Sequence, residues 1–289
     1  MKVGIVGASG LVGTALCELL AKEGHTWVGY SRKPKGKKGE WRSLEEGFAG
    51  LDAIVNLAGE SVAQRWTEAK RAEFYRSRVD LTKSVVAGIE KLPEGERPEI
   101  LFNASAVGYY GDQGTQVLIE DSPAGTGFLA ELCVAWEEAA CEAESLGVRV
   151  CLGRIGVVLS KKSEAWKKMR RVFGLGLGGR LGSGEQYWPV VHVDDVAGGI
   201  LHALTDKEIS GAVNLVGATP VTNQVFTEEV GKTLKRPTLF PAPAFGLQLI
   251  LGDFSQALLD SYRVMPAELE HRGYEFRYQN LTDLLASLK

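Results

Sequence analysis

The chain has no apolar run approaching the ~20 residues that a membrane-spanning helix needs. Its longest C-terminal candidate, Ala244 to Leu251, is too short and carries Gln248. Cysteine is scarce as well. Cys17, Cys133, Cys141 and Cys151 are the four, and none falls in a CxxC or other metal-ligand spacing. They read as reduced packing residues of a cytoplasmic protein, and no metal site is expected. An excess of one charge is also missing. Lys plus Arg number 33 and Asp plus Glu 36, a formal net charge of −3, which offers no general attraction to nucleic acid or an anionic membrane. Met1-Lys2 leads at once into a strand and a glycine turn, so signal-peptide anatomy is not expected. These exclusions leave a small molecule as the expected partner, for a monomer or a homodimer.

What is present is an alternation of short apolar runs and longer amphipathic stretches over the first 160 residues. That is the pattern of an α/β fold, a Rossmann-type doubly wound parallel sheet with crossover helices. Strands are expected at Lys2–Val6, Thr26–Tyr30, 53–57, 100–104 and 148–152, and helices at Leu11–Lys22, 67–91 and 128–146. Apolar residues at 11, 12, 15, 16, 19 and 20 give the first helix its period. The stretch 33–50 offers no strong third strand. Beyond residue 160 a glycine-dense segment, Gly174–Gly184, and prolines 237, 241 and 243 mark a smaller α/β substrate lobe, 161–289. Its C-terminal segment starts near 221, and the strands and helix of about 190–216 return to the 1–160 domain.

The sequence Gly7-Ala8-Ser9-Gly10-Leu11-Val12-Gly13 lies between a strand and a periodic helix. Glycines there let the backbone turn sharply and meet a pyrophosphate without a Cβ in the way, at the positive end of the helix. Gly7, Ser9, Gly10, Leu11, Val12 and Gly13 are therefore candidate dinucleotide-binding residues. An NAD site usually ends its second strand on an acid; this chain has Ser31-Arg32-Lys33. A guanidinium fork suits a 2′-phosphate, with Ser31 as a neutral partner. The expected cofactor is NADP(H). Leu57, Ala58 and Gly59, small residues at a strand end, would let the adenosine side pack closely. Arg78 on the long helix could reach the cofactor or make a surface salt bridge, and Arg154 ends a strand near the cofactor or the substrate.

These residues resemble the extended short-chain dehydrogenase/reductase superfamily, and within it the atypical epimerase family proteins. Besides the turn and Ser31–Pro34, the matching pieces are Asn56–Glu60, Ser105–Gly111, Glu120–Pro123, Trp136-Glu137, Gly174–Gly184 and Pro189–Asp195. The resemblance implies an oxidoreductase or epimerase acting on a small carbonyl or sugar-type substrate. In the superfamily a Tyr-x-x-x-Lys pair on one helix face exchanges the proton. Here the corresponding positions are Phe128 and Leu132, or Leu129 and Cys133, and no Tyr or Lys occurs between Gly111 and Lys161. Ser105 could still donate to a substrate oxygen. Tyr109 and Tyr110, on the following loop, read either as replacement acid/base groups or as packing rings. Glu120 and Glu131 are further carboxylates to weigh. Arg180 in the glycine segment could hold a phosphate or carboxylate if that loop is flexible. His192, Asp194 and Asp195 read as a helix start, with Asp194 capping. Two functional readings follow: an NADP(H)-dependent enzyme without the usual pair, or a non-catalytic NADP(H)-binding sensor or scaffold.

Overall fold

A computed structural model describes residues 1–34 and 39–289. Part of the basic run after Ser31, residues 35–38, lies outside the described residues. Seven parallel strands form the central sheet: β1 Lys2–Val6, β2 Thr26–Tyr30, β3 Trp41–Arg42, β4 Ala53–Asn56, β5 Ile100–Ala106, β6 Arg149–Ile155 and β7 Gly211–Leu215. Their spatial order is β7-β6-β5-β4-β1-β2-β3. The chain reverses direction across the sheet between β1 and β4, the switch point where open sheets of this type bind ligands. The third strand exists but is only two residues long, paired with Gly29 and Tyr30.

Burial on both faces explains why the strands read as near-continuous apolar runs. Side chains alternate between the two faces. Val3, Ile5, Val55 and Phe102 join one core with Leu16 and Leu20 of α1 (Leu11–Lys22). Ile54 and Leu101 join the opposite core with Val85 and Ile89. The long helix expected over 67–91 is a rod of three parts: α2 (Glu68–Tyr75), a π turn (Arg76–Asp80) and α3 (Leu81–Glu90). Thr67 caps its start by accepting from the Lys70 amide. Next come α4 (Phe128–Cys141), continued by a 3₁₀ turn to Leu146, then α5 (Glu164–Gly174) and α6 (Val193–Thr205), which packs beside α1.

A third core lies outside the sheet. Trp166 and Phe173 of α5 meet Phe226 and Val230 of α7 (Asn223–Leu234) and Leu281, Leu284 and Leu285 of the last helix. Asp195 ties the C-terminal segment to α6. Its buried carboxylate accepts from the Arg277 amide (2.7 Å) and the Tyr278 amide (3.2 Å), and the Tyr274 hydroxyl donates to its carbonyl. The cap of α6 differs from expectation: His192 Nδ1, not Asp194, accepts at the helix start, from the Asp194 amide. Asp194 instead pairs with Arg277 at 2.8 Å. All four cysteines are free thiols, and no described helix is long and apolar enough to cross a membrane.

Candidate functional site

The glycine turn closes onto the end of β4. Gly7 has φ +93°, and a Cβ there would meet the Leu57 carbonyl carbon and the Ala58 amide at 3.0 Å. Gly13 lies so close to the Gly7 carbonyl and to Ala8 that no side chain fits. The turn therefore needs glycine at both positions, once for conformation and once for space. Gly10 stands at the N-cap of α1 with no side-chain cap, and the first turn carries no acid. By contrast α2, α5, α6 and α7 are each capped by a side chain. The leading amides of α1 are thus free to meet an anion, with the helix dipole behind them.

Ser31 and Arg32 follow β2. Ser31 Oγ accepts from the Lys33 amide at 3.2 Å, while Arg32 is exposed and forms no ion pair among the described residues. Its fork is available at the strand end where a ribose 2′ substituent would be read. A cavity of about 630 Å³ borders the same turn. It is lined by Ser9, Gly10 and Leu11 together with Lys161, Lys162 and His192. Sequence reading gave the last three no part in a cavity beside the turn. The only signal for it is that the starts of α1, α5 and α6 meet there, which is a matter of topology.

Arg78 occupies the π turn, and that turn swings it inward. Its Nη2 donates to the Glu60 carbonyl at 2.9 Å, and its guanidinium lies 5.1 Å from the Trp136 ring. Gly59 packs directly on it; a Cβ there would meet the guanidinium carbon at 3.1 Å. No carboxylate lies within ion-pair reach among the described residues. Burial lowers its pKa, with nearby Cys133 and Glu60 opposing that shift. The geometry excludes the surface salt bridge and sets a cation against Gly59 and the Trp136 ring of α4, the helix on which the superfamily pair would stand.

Ser105, Tyr110 and Arg154 come together, but in a closed network. β5 and β6 place Ser105 opposite Arg154. Arg154 is buried and grips Glu137 of α4 with two bonds, Nε to Oε1 at 3.0 Å and Nη2 to Oε2 at 2.9 Å. Its Nη1 donates to the Tyr110 hydroxyl and the Glu120 carbonyl. Ser105 Oγ donates to Glu137 at 2.6 Å, and the Cys133 thiol lies against it. Ser105, expected to donate to a substrate oxygen, and Tyr110, weighed as an acid/base or a packing ring, both have partners inside the protein. The Ser105 proton is already spent on a carboxylate. Tyr110 is fully buried, donates to Asn214 at 2.7 Å, and is pushed up to about 12 by burial. Arg154, expected near the cofactor or the substrate, donates to Glu137, Tyr110 and the Glu120 carbonyl.

Tyr109 is half-buried, with the Arg154 guanidinium 3.5 Å over its ring. Glu120 is committed too, accepting from the Asn214 amide, and burial raises its pKa. Glu131 is exposed. The glycine segment is tied to the C-terminal part at one point: the Gly182 and Ala242 amides bond across to Ala242 and Arg180 carbonyls at 2.9 Å. Beneath the site, Asn56 donates to Thr82 and Asn103, and the Trp136 indole donates to Thr82. That buried set fixes α3 and α4 against β4 and β5. The sequence-based reading gave no role to Glu137, because its role depends on the register of two strands.

Residues 3–216 match the NAD dependent epimerase/dehydratase family, and residues 242–288 match a domain of unknown function, DUF1731. The chain belongs to the NAD dependent epimerase/dehydratase family. Among its relatives, epimerase family protein Mb2239 of Mycobacterium bovis is 38% identical, covering 98% of this chain and 96% of that protein. The Homo sapiens epimerase family protein SDR39U1 is 34% identical, with 97% of each chain covered. The crystal structure of human SDR39U1 with NADPH superposes with a TM-score of 0.93 at 33% identity, covering 100% of this chain and 99% of that one.

Proposed function

We propose that the chain binds NADP(H) across the Gly7–Gly13 turn and acts as a reductase of small carbonyl compounds, with Arg78 supplying the positive charge at the reacting end. The observation that carries this reading is the Arg78 guanidinium, unpaired by any carboxylate among the described residues, against Gly59 and the Trp136 ring. The bound cofactor would supply hydride. On this reading the protein's own residues divide the work. The free amides of α1 hold the pyrophosphate, Arg32 holds the 2′-phosphate, and the small end of β4 lets the dinucleotide pack close. Arg78 stabilises negative charge that develops on the acceptor oxygen, a role in which a preorganised donor is worth ~10²–10³ in rate. Reduction is favoured over epimerisation. Reduction needs one hydride from the cofactor and one proton for the resulting alkoxide, which solvent water can supply. An epimerase needs a positioned group that both takes and returns a proton, and Ser105 and Tyr110 are engaged elsewhere. A solved structure of a relative with NADPH supports the cofactor assignment.

The second reading, a protein that holds NADP(H) without turnover, is favoured by the capture of Ser105 by Glu137. One experiment separates the two. NADPH binding is measured by fluorescence, and oxidation is followed by absorbance against aldehydes, ketones, quinones and sugar nucleotides. Arg32→Ala is expected to weaken NADPH about 10–100-fold with little change for NADH, the worth of a charge-assisted bond. Arg78→Met is expected to keep binding and lose about 100-fold or more in kcat. Tight NADPH binding with no oxidation across the panel decides for the holder. Equal affinity for NADH and NADPH sinks the cofactor assignment.

A further inference from the structure

One apolar helix leaves most of its large side chains open to solvent. α8 (Ala244–Leu251) reads Ala-Phe-Gly-Leu-Gln-Leu-Ile-Leu, and none of its residues is buried. Phe245, Leu249 and Ile250 on it, and Leu239 and Phe240 just before it, are between 60% and 77% exposed. Leu175 and Leu177, 70% and 59% exposed, lie on the segment that leads into this region. The segment 180–182 runs alongside Ala242, Gly179 packs against the Phe240 carbonyl, and Leu177 stands two residues before that contact. Apolar surface on this scale is unusual. A monomer's largest apolar patch is about 300–600 Å², whereas these seven side chains expose on the order of 1,000 Å² at the accessibilities above. That figure matches the ~800 Å² per partner that a standard specific interface buries.

We infer that this face is the contact between two copies of the chain. Two observations choose a second copy over other occupants. From Pro237 to Gly252 the sequence holds no Asp, Glu, Lys, Arg or His. In a two-fold contact each patch meets itself, so any charge near the axis meets its like; a patch without charge avoids that repulsion. A surface-bound membrane helix, by contrast, carries Lys and Arg along its polar side, and α8 has no charged side at all. The presentation is also rigid. Pro241 and Pro243 precede the helix, the 180–182 segment is bonded to Ala242, and Asp253 just beyond the helix pairs with Arg71 at 2.8 Å. Little conformational freedom is left to lose on association.

Sedimentation velocity of the full chain, over about 1 to 100 µM, reads the monomer–dimer equilibrium directly. The wild-type chain is expected to form dimers within that range. Phe245→Glu with Leu249→Glu is expected to weaken association about 100-fold or more, the effect of removing central anchors. Because Phe245 and Leu249 are about three-quarters exposed, circular dichroism and NADPH affinity of that variant should match the wild type, and Ile250→Lys gives an independent second variant. Three results would overturn the inference. One is a wild-type monomer at every concentration, and another is a double variant that dimerises as before. The third is a monomer that instead floats with phosphatidylcholine vesicles. Loss of NADPH binding by the wild-type chain would count against the cofactor reading alone and leave this one standing.

Discussion

Arg154 is held on three sides by side chains and backbone, and among the described residues its pair with Glu137 is the one salt bridge with both side chains buried. A buried pair of this kind adds little net stability when intact, because desolvation offsets the attraction. Breaking one half is different. Glu137→Gln leaves a buried guanidinium without its counter-charge and Ser105 with a weaker acceptor. We expect that substitution to cost about 3–5 kcal/mol in urea denaturation. Replacing both partners, Glu137→Leu with Arg154→Leu, should recover a good part of the loss, since apolar isosteres avoid the uncompensated charge. A Glu137→Gln protein as stable as wild type would show that the network carries no structural weight, and Ser105 would regain its standing as a free hydroxyl.

At the scale of the element, most of the sheet and its helices were legible because each signal is local. Period and glycine spacing mark β1 and α1, and the apolar runs of β4, β5 and β6 follow from burial on both faces. Arg78 could be named from the sequence, but its direction could not. The π turn at Arg76–Asp80 adds a residue to the helical period and swings the side chain inward, and no local composition marks it. Glu137 and the uncharged α8 face were missed for a related reason. One depends on strand register and the other on what tertiary packing leaves uncovered. Asp195 shows the same dependence, since its bonds to Tyr274, Arg277 and Tyr278 reach some eighty residues along the chain. Asp195→Ala removes the acceptor for the Arg277 and Tyr278 amides. The expected loss is about 1.5–3 kcal/mol, as for bonds to a charged group, with new proteolytic cleavage between 272 and 280. Cleavage unchanged from wild type would mean that the aromatic contacts of Tyr274 and Phe276 hold the segment unaided.

Across the whole molecule, titrating groups pull stability in opposite directions as the solution turns mildly acidic. His192 sits where α6 starts, facing Asp194, Arg277 and Tyr278, and burial lowers its pKa, with Asp194 opposing and Arg277 reinforcing. A histidine with a lowered folded pKa stabilises fully above its unfolded value, about 6.5, and that contribution is lost as pH falls through the folded value. Glu120, Asp195 and Asp260 behave in the opposite sense. Burial raises each of them, so the native state takes up their protons before the unfolded chain does. Their contribution is full below the unfolded carboxylate value of about 4 and is lost as pH rises through the folded one. Acidification from neutrality therefore weakens the protein through His192 and strengthens it through the three carboxylates. His192→Asn removes only the first effect, because an asparagine oxygen can still accept from the Asp194 amide and cap α6. Melting curves at about pH 7, 6 and 5 should show the variant gaining stability relative to wild type as pH falls. Parallel profiles for the two proteins would mean that the His192 ring reaches water freely in the folded state, and that the cavity beside the glycine turn is open to solvent on that side.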